Sequence, residues 1–158
     1  MGMAQGRRGA ASMSGDTVFG VSPGGTEAGW RGVVYHKHHT SARTVFLQID
    51  GSVVVAASGE ASAIGPHDGR IGIHPASGLA GLAGLLSLPP SALRVDADPL
   101  RSGGEIAGPI WLVELASIDP PEAAAAAAGG RFVSLLEARL LDEAQRSLLG
   151  TAYTRILG

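Results

Sequence analysis

Residues 29–115 hold β-type runs around one short apolar segment, and residues 123–157 take up helical spacing. Gly32 to His38 predicts a strand that opens apolar and ends polar. Arg43 to Ile49 (Arg-Thr-Val-Phe-Leu-Gln-Ile) is rich in β-formers, and Asp50-Gly51 comes directly after it. Asp-Gly between two β runs signals a hairpin, because both turn residues must tolerate positive φ. Ser52 to Ala57 is then expected to return as the partner strand. Ile110 to Leu115 predicts another strand, with Ile110, Leu112 and Glu114 on one face and Trp111, Val113 and Leu115 on the other. Glu114 is either a buried acid or base, or an outward residue on an edge strand.

Helical spacing appears twice. Leucines at 79, 82, 85, 86 and 88 form one stripe, which Pro89-Pro90 ends. Gly81 and Gly84 weaken that helix by roughly 1 kcal/mol each relative to Ala, and its small residues allow close approach to a sheet. Residues 123–157 read as helical. Ser134-Leu-Leu-Glu137 has the form of a capping box, with Leu136, Leu140, Leu141, Ala144 and Leu148 as the expected buried face. Gly150 is the expected stop. The tract Ala123 to Ala128 is either a frayed helix or a linker. Residues 1–28, rich in Gly and Ser, are expected to be a disordered leader before a single domain over 29–158.

Composition narrows the function classes. Net charge is −2, and no basic run exceeds Arg7-Arg8, so nucleic acid is not an expected partner. There is no cysteine, which removes disulfides, thiolate nucleophiles and Cys-ligated zinc and suits a cytoplasmic protein. The longest apolar run, Leu79 to Leu88, falls far short of the ~20 residues that span a bilayer, so a soluble protein without a membrane partner is expected. Low charge and many leucines are compatible with a homo-oligomer.

The order of these elements resembles the Nudix superfamily over roughly residues 40–150. The hairpin Thr44 to Ala57 precedes a glycine-punctuated turn, a short helix and Leu-Pro-Pro-Ser-Ala-Leu-Arg-Val. Next come the strand Ile110 to Leu115 and Arg131-Phe-Val-Ser-Leu-Leu-Glu-Ala, a strand-to-helix passage. The resemblance implies Mg²⁺-dependent hydrolysis of diphosphates, in which helical carboxylates hold the hard cation through oxygen. Here the corresponding stretch, His74-Pro-Ala-Ser-Gly-Leu-Ala-Gly-Leu-Ala-Gly-Leu-Leu-Ser-Leu, has no Arg-Glu and no Glu-Glu pair. From Gly69 to Val95 there is neither Asp nor Glu. No catalytic residue carries over.

All five histidines lie between His36 and His74. On an extended strand His36 and His38 point to the same side, so with His67 or His74 they offer nitrogen ligands for zinc or iron. His-x-His, an Asp-Gly turn and a later Gly/His-rich loop also resemble the cupin barrel, which implies a carboxylate ligand as well. No acid lies between His39 and Asp50, leaving Glu60 or Asp68 as substitutes. The simpler reading makes Tyr35-His-Lys-His-His39 a polar, solvent-exposed strand end, His67-Asp68-Gly69 a turn and His74-Pro75 a helix start. Ser58-Gly59-Glu60 and Ser102-Gly103-Gly104-Glu105 read as solvated acidic loops, and Ser41 lacks the G-x-S-x-G elbow of a nucleophile.

The expectation is therefore an α+β domain: a small mixed sheet, a short apolar helix and a C-terminal amphipathic helix, Nudix-like. Its expected function is to bind or act on a small phosphorylated or nucleotide-like ligand. The alternatives are a cupin-like metal enzyme using His36, His38, His67 and His74, in which a divalent metal is the cofactor, and a non-catalytic accessory subunit.

Overall fold

The computed structural model describes residues 29–57, 74–101, 106 and 108–158, so the expected leader lies outside the described residues. Six strands form one mixed sheet: β1 (Trp30–Lys37), β2 (Thr44–Ile49), β3 (Val55–Ala57), β4 (Leu93–Val95), β5 (Trp111–Leu115) and β6 (Gly130–Ser134). The order is β4-β5-β1-β2-β6, with β3 also on β1. β1 runs parallel to β5, with Val34 opposite Val113, and antiparallel to β2, with His36 opposite Val45. The fold class is α+β, as the sequence predicts.

Three helices cover the sheet: α1 (Leu79–Leu86), α2 (Glu122–Ala127) and α3 (Glu143–Leu157). Alternation along each strand divides the core into two apolar layers. Trp30, Val34, Leu47, Trp111 and Val113 pack with Leu82, Ala83 and Leu86 of α1 and Ala125 of α2. Val33, Phe46, Leu112 and Val133 pack on the other face with Leu148, Leu149 and Ala152 of α3. The tract read as helix or linker is thus helix α2.

The Asp50-Gly51 turn forms as expected, with φ of 49° and 81°. The hairpin beyond it does not. Ile49 and Ser52 exchange backbone hydrogen bonds of 2.8 and 2.9 Å, and that is the whole ladder. A second reversal comes next, where the Val54 amide donates to Ser52 Oγ and the Gln145 carboxamide oxygen accepts from the Val53 amide at 2.9 Å. β3 then runs along β1, with Trp30 opposite Ala57. The cause is tertiary: β6 occupies the outer edge of β2, while the first half of β1 still has an edge to offer.

α1 is a helix as predicted, ending at Ser87 in the left-handed conformation. Its close approach to the sheet occurs one residue before it, at Gly78, and not at Gly84, which is exposed with open space around it. A Cβ on Gly78 would fall 2.1 Å from Cδ2 of Trp30. The indole is 2 % exposed and donates from Nε1 to the Pro75 carbonyl at 2.8 Å.

The C-terminal region departs from the sequence reading. The capping box is made, with the Ser134 amide donating to Glu137 Oε2 at 2.8 Å and the Glu137 amide to Ser134 Oγ at 3.3 Å. It opens only a 3₁₀ turn, Glu137–Leu140, directly after β6. Leu136 and Leu140, expected to be buried, are 65 % and 89 % exposed. α3 begins later, capped by Asp142, and passes through Gly150 to Leu157. No helix among the described residues is long and apolar enough to cross a membrane.

Candidate functional site

The histidine cluster divides between interior and surface. β1 carries His36 onto the α1–α2 face, the same face as Trp30 and Val34, and its side chain is fully buried. His36 Nε2 lies 2.9 Å from the Ser117 carbonyl oxygen. A carbonyl only accepts, so Nε2 carries the proton. His36 Nδ1 is then a buried nitrogen without a hydrogen-bond partner. His38, two residues on and partly buried, sets its ring centroid 5.1 Å from that of His36 with the planes at 87°. His39 is exposed.

His74 is not brought to this pair. Its Nδ1 accepts from the Ala76 amide at 3.1 Å and caps the 3₁₀ turn Pro75–Gly78. That turn is tied to Trp30, at the opposite end of β1 from His36. Six residues of extended strand separate the two ends by roughly 20 Å. His67, Glu60, Asp68 and the loops at 58–60 and 102–105 lie outside the described residues. Among the described residues no group of three or more His, Asp or Glu side chains converges on one point. The sheet is open, with β4 and β6 as its edges and helices on both faces. That is not the closed barrel which the cupin resemblance implies.

Glu114 does not stand on an edge strand. β5 lies between β4 and β1, so Glu114 is flanked by Arg94 and Tyr35 in register. Burial first, and then the charges of Glu114 and Asp96, push the Tyr35 hydroxyl up to about 12.

A cavity of about 360 Å³ opens on the α3 face. Arg31, Ser52, Val54, Asp142, Ala144 and Gln145 line it. Four parts of the chain line it among the described residues: Arg31 from β1, the double reversal after β2, Ile106 before β5, and the first turn of α3. Arg31 shares its face with Val33 and Tyr35, and its Nε is buried without a hydrogen-bond partner. Gly108, at φ 86°, brings its backbone close enough that a Cβ there would lie 3.0 Å from Arg31 Nη2.

The opposite wall is already engaged. Asp142 Oδ1 accepts from the Gln145 amide at 2.9 Å, and Oδ2 from Gln145 Nε2 at 2.7 Å. Those hydrogen bonds, the backbone one foremost, hold the Asp142 carboxyl below its ordinary 3.8. The α3 N-terminus thus carries its own anion. The buried polar atom of the cavity wall without a hydrogen-bond partner is Arg31 Nε, part of a planar guanidinium fork suited to phosphate or carboxylate.

Sequence reasoning missed Arg31 because the strand was begun at Gly32. The available signal was its place in the alternation, a cation in step with Val33 and Tyr35. Compared with known proteins, the chain matches no family model and no curated sequence.

Proposed function

We propose that this is a Nudix-like binding domain for a small phosphorylated or nucleotide-like molecule, acting without Mg²⁺-assisted diphosphate hydrolysis. The observation that carries the reading is Arg31, whose Nε has no hydrogen-bond partner, in the wall of a cavity of about 360 Å³. That volume is near the lower end of the roughly 300–1,000 Å³ of small-molecule sites and suits a nucleoside monophosphate or a sugar phosphate. Further support comes from the mixed sheet between helices, with α1 where the resemblance expects its helix. Neither face of α1 carries a carboxylate: Leu82, Ala83 and Leu86 are buried, and Ala80, Gly84 and Leu85 are exposed.

Calorimetric titration with nucleoside monophosphates, nucleoside diphosphates and sugar phosphates, with and without Mg²⁺, tests this. Arg31→Ala should weaken binding about 10- to 100-fold, as expected for losing a charge-assisted bond of roughly 1.5–3 kcal/mol. Mg²⁺ should neither tighten binding nor bring turnover. The reading fails if nothing in the panel binds, if Arg31→Ala binds as the wild type does, or if Mg²⁺ starts hydrolysis.

A further inference from the structure

We propose that His36 and His38 form a binding site for a divalent transition-metal ion of the zinc type, with His36 Nδ1 as the inner ligand. The site lies on the α1–α2 face of the sheet, opposite the Arg31 cavity, and is independent of the function proposed for that cavity.

The His36 ring is set as metal-bound imidazoles are. A ligating histidine generally donates its second ring N–H to a carbonyl or carboxylate, which fixes the tautomer and leaves the other nitrogen as the donor. His36 Nε2 makes that bond to the Ser117 carbonyl at 2.9 Å. Nδ1 is left with its lone pair, buried and unpartnered. A buried polar atom without a partner costs about 1–3 kcal/mol, and a cation on Nδ1 removes that cost.

The second ligand is at a suitable distance. With Zn–N near 2.0–2.1 Å, two imidazoles on one tetrahedral ion hold their ring centroids about 5 Å apart. The His36 and His38 centroids are 5.1 Å apart. His36 is fully buried and His38 partly so, which places any approach to the site on the His38 side. With two imidazoles and no thiolate, a borderline ion such as Zn²⁺ is favoured over Mg²⁺ or Ca²⁺, which prefer oxygen. Two imidazoles are one fewer than the three protein ligands of an ordinary catalytic zinc centre, so the remaining positions fall to water or to a bound molecule.

The test is titration of the full chain, stripped with a chelator, with Zn²⁺ alone. Saturable binding at a single site is expected. His38→Ala should raise Kd by about tenfold or more, while His39→Ala, exposed, and His74→Ala, at the far end of β1, leave it unchanged. Long-range ¹H–¹⁵N spectra should show the His36 Nδ1 resonance moving on Zn²⁺ addition while Nε2 keeps its proton. A partly buried strand-end residue is replaced, and an unchanged urea unfolding transition for metal-free His38→Ala would establish that it folds. Absence of saturable binding, a Kd unaffected by His38→Ala, or a spectrum in which Nδ1 stays still would overturn the proposal.

Discussion

Gly78→Ala tests the packing of α1 on the sheet, because local propensity and tertiary packing predict opposite signs. Gly78 has φ −93° and ψ −3°, a conformation any residue adopts. By backbone entropy alone, Ala there would stabilise the fold by about 0.4–1 kcal/mol. The added methyl, however, would stand 2.1, 2.3 and 2.6 Å from Cδ2, Cγ and Cε3 of Trp30. Carbon atoms prefer roughly 3.5–4.0 Å, so the indole or the turn must move by more than an ångström. The indole also lies close over Gly32, where an added Cβ would fall 2.6 Å from its Cη2. Its Nε1–H also points at the Pro75 carbonyl at 2.8 Å. Overpacking of this kind costs about 1–3 kcal/mol, and the hydrogen bond adds about 1 kcal/mol if it breaks. Net destabilisation of about 1–3 kcal/mol is expected. Urea unfolding followed by the fluorescence of Trp30 and Trp111 would show it as a lower midpoint at unchanged slope. Gly84→Ala, exposed with nothing within 4 Å, is the matched control and should stabilise by about 0.5–1 kcal/mol. If Gly78→Ala proves as stable as the wild type, the indole is not clamped between the two glycines and the argument is wrong.

Gln145→Ala removes the acceptor of the Val53 amide, a fully buried residue at the second reversal. A loss of about 1–3 kcal/mol is expected in the same urea assay, and faster hydrogen exchange at Val53 should accompany it. Tyr35, raised to about 12, keeps its proton in the folded chain at a pH where the unfolded chain, at its ordinary 10.0, releases it. The stability this supplies is complete below pH 10, declines as pH rises and is gone above about 12. Tyr35→Phe should flatten the fall in unfolding midpoint between pH 10 and 12; an unchanged slope would place the alkaline sensitivity elsewhere.

The chemistry legible in the sequence was confined to a few neighbouring residues. Asp50-Gly51 demands positive φ wherever the strands go, so the turn is found where it was read. The Ser134 and Glu137 side chains bond as a capping box must, because both partners lie within one turn. Neither signal dictates the path of the chain beyond its own turn. The register of β3 depends on which edge of β1 is open and on β6 already holding the far edge of β2. The capping box opens a 3₁₀ turn because β6 ends at Ser134 and the chain must cross to the α3 face before Leu148, Leu149 and Ala152 can be buried. The leucine count was misleading there: the stripe that matters begins at Leu148, and Leu136 and Leu140 face solvent. Arg31 was only partly legible for a related reason: the alternation sets it in step with Val33 and Tyr35, but nothing local shows that this face carries a cavity.

The acid-free stretch and the histidines bear on the same question, namely where this chain can hold positive charge beside a ligand. A hydrolase that grips diphosphate through Mg²⁺ needs carboxylates on the helix next to the sheet, and α1 offers alanine, glycine and leucine at every position. Under the binding function proposed above, positive charge would come from the protein itself or from an ion held by nitrogen. The fold provides a separate place for each. Arg31 gives a permanent charge on the α3 face, always protonated and geometrically matched to one phosphate group. His36 and His38 offer nitrogen donors on the α1–α2 face, where their distance from Arg31's cavity is set by the thickness of the sheet. Because the sheet separates them, neither can supply the other's missing partner. A single arginine–phosphate contact should weaken modestly as salt rises, whereas coordination of an ion by two neutral imidazoles involves no charge pair for salt to screen. The two faces thus differ in the physics of their charge, and ionic strength distinguishes them without any mutation.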